Sequence, residues 1–428
     1  ISQTIPNCSG SVRSVLMSAA LLVLALCSAT SARACEDWLA KTVAASGAAE
    51  HKSATADWQP LQIEQTICPG DSVRIGANSR AALHLRNNTF MRLDENSVVN
   101  FPAPKAATGF WSDLSQGVAH YISRIVNHFE VSTPYVNAVV EGTEFVVSAT
   151  PAQASVAVLE GKVKTWNDAG TESVTSGQQV QASSCNGALT RINVASASTV
   201  EWAIHYPPVL TLQNLHAQDA TEQNRLSELT PFLQQNRPDL ALQALDQNPQ
   251  QSPALATARA ALLLTVGRVD DFDAQIAALL QGPQAGTAHA LKAVADAARN
   301  RPEQALASAH KAVELEPQQA AGYLALSWAQ QSALQLDNAL TSAKTAAKLE
   351  PQNTLAWLRV SELHLMQGDT GAAQKALSHV KQNSADSAAL QAQVLSARGF
   401  VNLFRLHIKT ARKNFEDALQ QDSADPQH

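Results

Sequence analysis

The chain has 428 residues, with 31 Lys and Arg against 37 Asp and Glu and a formal net charge of −6. That length implies two or three domains, each large enough to bury a core. The mild acidity and the lack of any basic run exclude a nucleic-acid binder, which needs clustered cations to neutralise phosphates.

Arg13, the almost unbroken apolar run Val15–Cys27 and the triplet Ala32-Arg33-Ala34 have the order of a secretory signal: positive region, apolar stretch, small-residue cleavage site. The apolar run is shorter than the about 20 residues a helix needs to cross a bilayer. Residues 1–34 are therefore expected to be removed. The mature chain would start at Cys35, lack a transmembrane segment and lie in the periplasm or at the cell surface. Acylation of Cys35 is an alternative, although Arg33 stands where a lipid-attachment signal wants a small or apolar residue. Cleavage leaves Cys35, Cys68 and Cys185, which in an oxidising compartment allow one disulfide and one odd thiol. Cys68 sits at a turn and is the expected member, with Cys35 favoured over Cys185 as its partner. No Cys pair has C-x-x-C spacing and no His lies at ligand spacing from a Cys, so neither metal nor cofactor is expected.

From Trp58 to Tyr206 the pattern is that of short strands. Cys68-Pro69-Gly70-Asp71 reads as a turn into Val73-Arg74-Ile75, and Arg86-Asn87-Asn88-Thr89 as a hairpin between Ala82–Leu85 and Phe90–Leu93. In Phe129–Gln181, β-branched runs alternate with Gly, Asn-Asp and Ser-Gly. Gly142 and Gly161 lie in or beside apolar runs, which suggests a bulge or a close backbone approach. Asn167-Asp168-Ala169-Gly170 reads as a hairpin turn, since Asn, Asp and Gly tolerate positive φ. His120 and His128 read as isolated surface or core histidines, and Glu141, Glu144 and Glu160 as structural rather than as a catalytic acid pair. G-x-S-x-G, the phosphate-binding G-x-x-x-x-G-K-[ST] and H-E-x-x-H are all absent, so no enzyme is expected.

Several blocks follow in a family order: Arg80-Ala81-Ala82-Leu83-His84-Leu85, Arg92–Ser97, Gln116-Gly117, Phe129–Pro134, Gly142–Val147, Val158–Val163 and Gly177-Gln178. From Asp71 to Gln181 the chain resembles a FecR domain. The resemblance implies an extracytoplasmic antiparallel β-domain that recognises an envelope component. The best-known members relay an iron-siderophore signal to a sigma factor, through a transmembrane helix and a cytoplasmic segment that precede the β-domain. Here only the signal-like stretch precedes it.

Tyr206-Pro207-Pro208 closes the β pattern, and residues 207–219 read as a proline-stiffened linker. Beyond it Ala, Leu and Gln dominate and the apolar period lengthens towards 3.6. Pro249, Pro283, Pro317 and Pro351 recur every 34 residues, as do Ala244, Ala278, Ala312 and Ala346. A 34-residue period of helix pairs resembles the tetratricopeptide repeat. A further copy has Ala385 where the ladder expects Pro, and the last needs about four extra residues near Asn402–His407. This resemblance implies a superhelical solenoid that binds protein. Its first-helix positions place Leu324, Trp328, Leu358, Arg359 and Glu362 on a concave groove. Co-chaperone members use Lys and Asn there to clamp a terminal carboxylate. Leu324, Trp328, Leu358 and Glu362 lack that chemistry, so an apolar or mixed segment is expected instead.

The fold class expected is multi-domain β + α: a FecR-like antiparallel β-domain over 35–206 (core 71–181), a linker over 207–219, and an all-α tetratricopeptide superhelical solenoid over 220–428 that continues beyond His428. The function expected is a non-enzymatic exported scaffold with no nucleic-acid partner. A FecR-type signalling component, or an accessory part of a larger protein whose further domain carries the activity, are the alternatives.

Overall fold

Alternation of buried and open side chains marks the first half of the chain as strands with one face in a core. The computed structural model describes residues 35–103, 110–123, 129–140, 142–194, 198–215, 217–247, 252–380 and 386–421. The expected signal, together with His128, Glu141, Pro249 and Ala385, lies outside the described residues. The early strands are β1 (Ala40–Ser46), β2 (Ala49–Lys52), β3 (Gln59–Pro60), β4 (Thr66–Ile67), β5 (Ser72–Ile75), β6 (Arg80–Leu85), β7 (Phe90–Leu93), β8 (Val98–Asn100) and β9 (Phe110–Ile122). There follow β10 (Phe129–Ser132), β11 (Asn137–Val140), β12 (Glu144–Ala149), β13 (Ala154–Glu160), β14 (Lys162–Asn167), β15 (Gly170–Thr175), β16 (Gln178–Ala182) and β17 (Thr190–Asn193).

β9 belongs to two sheets. Its first half pairs with β8 and β10, and its second half with β7 and β12. The change of sheet falls at Gly117, which has φ 97. A Cβ there would sit 2.3 Å from the Cα of Ser97, so only glycine lets the two strands approach at this corner. Among the described residues every ladder is antiparallel except β9–β10, which runs parallel. The core holds Leu83, Met91, Leu93, Leu114, Phe129 and Phe145. Tyr121 stacks on Phe145 with ring centroids 4.9 Å apart, and its hydroxyl meets Ser112 Oγ at 3.2 Å. Burial raises the Tyr121 phenol above its ordinary value.

The hairpin between β6 and β7 closes as expected, with Asn88 at φ 59. The β14–β15 hairpin closes differently from expectation. Neither Asp168 nor Ala169 has positive φ; instead the Asn167 side chain accepts from Ala169 N at 3.0 Å, a side-chain turn in place of a left-handed one. The β12–β13 register shifts between Glu144 and Phe145. Gly161, at φ 85, leaves room that a Cβ would lose to Thr143 Cγ2 at 2.6 Å. Cys35 and Cys68 are each disulfide-bonded, and Cys185 is an exposed free thiol whose Sγ reaches Pro134 O at 3.3 Å.

Twelve helices follow among the described residues: α1 (Ala220–Gln234), α2 (Pro238–Asp246), α3 (Pro253–Val266), α4 (Val269–Leu279), α5 (Ala285–Ala298), α6 (Pro302–Leu315), α7 (Ala320–Ser332), α8 (Leu336–Leu349), α9 (Thr354–Met366), α10 (Thr370–Ser378), α11 (Ala388–Phe404) and α12 (Ile408–Gln421). They pack in six successive pairs that stack into a solenoid. Each pair turns through one left-handed residue: Asn236, Gly267, Asn300, Leu334, Gly368 and Leu406. The residue after it donates five residues back, as in Arg268 N to Leu263 O at 2.9 Å and Gln335 N to Gln330 O at 2.8 Å, which satisfies carbonyls the helix end would orphan.

The Ala ladder holds in the later repeats only. Ala312 and Ala346 are fully buried, whereas Ala244 is half-buried and Ala278 exposed. In α4 the buried faces are Phe272 and Ile276, which precede Ala305 and Ala309 of α6 by 33 residues rather than 34. The extra residues expected near 402–407 are found inside a helix. α11 has 17 residues against 13 in α7 and in α9, and its closing turn keeps the common form. Gly117→Ala is expected to lower stability by more than about 2 kcal/mol, combining left-handed strain with the Ser97 clash. Urea unfolding measures it, and a change within about 0.5 kcal/mol would remove the corner's role.

Candidate interaction groove

Packing of successive pairs curves the solenoid until α1 touches α11. On its inner side a cavity of about 680 Å³ is lined by Leu324, Trp328, Leu358, Arg359 and Glu362, the residues that sequence spacing brings to the groove. Their individual states differ from an open binding surface. Leu324 and Leu358 are buried, and Arg359 is only 2% exposed.

Arg359 joins α7 to α9. Its Nε donates to Ser327 Oγ at 3.1 Å, its Nη2 to Ser327 O and to Gln331 Oε1, and its Nη1 to Glu362 at 3.3 Å. The guanidinium lies 3.4 Å from the Trp328 ring centroid, a cation–π contact strengthened by loss of water. Burial pushes Arg359 down to about 10, with Glu362 opposing. Removal from water raises Glu362 above its ordinary value, with Arg359 opposing. Trp328 is half-buried against the helical core, so it serves packing whatever else it contacts.

The groove is not empty of chain. His205, Pro207 and Pro208 line the same cavity. The stretch expected to be a proline-stiffened linker is laid through the solenoid as a strap. Tyr206, Val209 and Leu215 are buried in the helical core, with Leu210 and Leu212 packed beside them. Asn214 Nδ2 donates to Glu350 Oε2 at 2.7 Å, while Glu350 Oε1 accepts from Ala320 N at 3.1 Å. The strap is anchored at its start as well. The short helix Ser198–Ala203 carries Glu201, which pairs with Arg299 at 3.0 Å and Arg301 at 3.1 Å. Against the lowering effect of burial, hydrogen bonds with Asp273 and Tyr206 raise the Arg299 pKa above its ordinary value.

Behind the strap a second cavity of about 680 Å³ separates it from the outer face of β6, β7, β9 and β12, where Arg80, Arg92, His120 and Glu144 lie. His120 is buried and its Nε2 meets Glu144 Oε1 at 3.0 Å. Burial lowers the His120 pKa, with Glu144 opposing. Glu160 is exposed, so Glu144 and Glu160 form no buried acid pair. Arg80 packs over the α3–α4 turn, where a Cβ on Gly267 would lie 1.4 Å from Arg80 Nη2 and 2.4 Å from Trp202 O. Asn78 Oδ1 accepts from Arg268 Nη1 at 3.0 Å. Sequence reasoning missed these contacts. The available signal was the apolar run Val209, Leu210, Leu212 and Leu215, too greasy for a solvated spacer.

The family model described as FecR protein matches residues 71–164. A putative anti-sigma factor from Parabacteroides distasonis ATCC 8503 is 17% identical, over 32% of this chain and 68% of that one, at TM-score 0.29. A tetratricopeptide repeat protein from Parabacteroides merdae ATCC 43184 is 15% identical, over 47% and 75%, at 0.35. MamA 41-end from Desulfovibrio magneticus RS-1 is 17% identical, over 38% and 94%, at 0.27. No curated protein matches. Among the described residues no helix is long and apolar enough to cross a membrane.

Trp328→Ala is expected to cost about 2–4 kcal/mol, because it uncovers a buried guanidinium as well as losing packing. Calorimetry reads this, and an unchanged melting temperature would make Trp328 a free anchor. A pH effect arises at Asp94, whose pKa burial pushes up to about 6, Arg80 opposing. A folded pKa above the unfolded one penalises the carboxylate above pH 6, and the penalty fades as pH falls towards 4. Asp94→Asn should therefore melt higher than wild type at pH 7.5 and equal to it near pH 4. A variant that melts lower at pH 7.5 would show that pairing with Arg80 outweighs burial.

Proposed function

We propose that this protein is a non-enzymatic, exported interaction scaffold of the cell envelope. The sheet region recognises an envelope component, and the solenoid groove holds an extended, apolar, proline-containing segment of a protein. One observation carries the groove half of this reading. The chain's own His205, Pro207 and Pro208 already line that cavity, and the strap runs on with Tyr206, Val209 and Leu215 buried in the helical core and the Asn214–Glu350 hydrogen bond. Side chains that receive one such segment can receive another of the same chemistry in exchange. Prolines suit this mode, since a preset extended backbone loses little entropy on docking. The lack of Lys and Asn at the groove positions supports an internal apolar segment over a terminal carboxylate. A second reading, envelope signal transduction, is favoured by the FecR match over 71–164. In that reading strap exchange would be the signalling step.

A synthetic peptide of residues 205–215 tests the groove. It is expected to bind a Val209→Asp chain, whose strap is loosened, and to leave wild type unbound, as read by fluorescence anisotropy. Circular dichroism should show the helical signal unchanged in the variant. A well-folded variant that ignores the peptide would end the groove reading. Export is tested separately, by fractionation and by the N-terminal residue of the mature chain, expected to be Cys35.

A further inference from the structure

The turns inside the six helix pairs share one backbone form, and four of them carry Asn or Gly at the left-handed position. The other two carry leucine, Leu334 at φ 61 and Leu406 at φ 62. A Cβ-bearing apolar residue is disfavoured in that conformation by its clash with the neighbouring carbonyl. Nor does burial account for the choice: Leu334 is 88% exposed and Leu406 80%.

Two of the earlier turns lie beside other parts of the chain. Gly267 lies under Arg80 and Trp202, and Arg299 and Arg301 beside Asn300 hold Glu201. Among the described residues the later turns are open: a Cβ at Gly368 would meet nothing within 4 Å, and Leu334 and Leu406 face water. At the last pair the turn projects. α7, α9 and α11 begin in step at 320, 354 and 388, but α11 is four residues longer (17 against 13). At 1.5 Å per residue its end stands about 6 Å beyond its neighbours.

That projecting turn carries Phe404 and Ile408, 63% and 55% exposed, beside Leu406. Arg405, His407 and Lys409 alternate with them, all exposed. From Ala388 to Phe415 the chain has five Lys or Arg and no acid, a local reversal of sign in a chain of net charge −6. Arg412 is held by Glu416 at 2.6 Å. The Leu334 turn differs, because Asp337 stands beside it.

We propose that the α11–α12 turn is a docking surface for an anionic lipid bilayer. Phe404, Leu406 and Ile408 enter the boundary between headgroups and acyl chains, while Arg405, Lys409 and Lys413 hold the lipid phosphates. Projecting apolar tips suit a fluid surface that closes around them, whereas a peptide needs a groove, and the groove of this solenoid lies on its inner face. Interleaved cations add attraction to anionic headgroups that falls off with salt. The surface is separate from the groove and does not depend on the groove's occupant. Phe400 and Phe415, with centroids 5.1 Å apart, hold α11 to α12 behind the tip, so the tip can be altered without parting the helices.

Flotation of the full chain with vesicles tests this, using phosphatidylcholine alone or mixed with phosphatidylglycerol. Wild type is expected to float with the mixed vesicles and not with phosphatidylcholine alone. The triple variant Phe404→Ser, Leu406→Asn, Ile408→Ser, with asparagine chosen because it accepts the left-handed turn, should bind at least about tenfold more weakly. Arg405→Glu with Lys409→Glu should lose binding by about as much, as should added salt. Wild type that stays with the protein fraction, or variants that float equally, would overturn the proposal. So would light scattering that shows a wild-type dimer falling to monomer in the triple variant, since a second copy would then cover the tip.

Discussion

Burial of the strap between Tyr206 and Leu215 holds the two halves of this protein in one arrangement. A stretch of this length has no core of its own, yet it places Tyr206, Val209 and Leu215 out of water. Full burial of one large apolar side chain is worth about 1.5–3 kcal/mol. Three of them give the strap a firm hold on the helices. The Glu201 pairs with Arg299 and Arg301 then set where the strap begins, and the Asn214–Glu350 bond sets where it ends. Between these points the chain has to lie across the groove, and the outer face of the sheet has to sit against the α3–α4 turn.

The same geometry explains the polar residues in the groove. A guanidinium taken out of water is costly unless each nitrogen finds an acceptor and a compensating charge or ring lies close. Arg359 meets that condition through Ser327, Gln331, Glu362 and the face of Trp328. Its role is therefore to lock neighbouring repeats at one angle.

Glycine and leucine mark opposite uses of one backbone conformation. At Gly267 the missing Cβ admits Arg80 and the Trp202 carbonyl, so the turn becomes an internal seat. At Leu406 the side chain points to solvent at the end of a lengthened helix, so a turn of the same form becomes an outward tip.

The sequence by itself determined the element types and their order. Alternation and turn residues marked the strands, and the proline period marked helix pairs, because both signals arise from neighbours a few residues apart. Equivalent positions of stacked repeats share a face, which is why the repeat spacing brings Leu324, Trp328, Leu358, Arg359 and Glu362 to the lining of one cavity. Only the tertiary structure decided which of them are open. Burial of Arg359 depends on Ser327 and Gln331 in the preceding repeat, and occupation of the groove depends on a strap more than a hundred residues upstream. The Ala ladder slipped by one residue in α4 for a related reason: Phe272 and Ile276 fill with bulk the contact that Ala305 and Ala309 make by closeness. The corner at Gly117, the parallel β9–β10 pair and the seat at Gly267 likewise rest on contacts between distant segments. Local periodicity carries no record of which distant surfaces meet, and it is the burial won where they meet that selects the final arrangement.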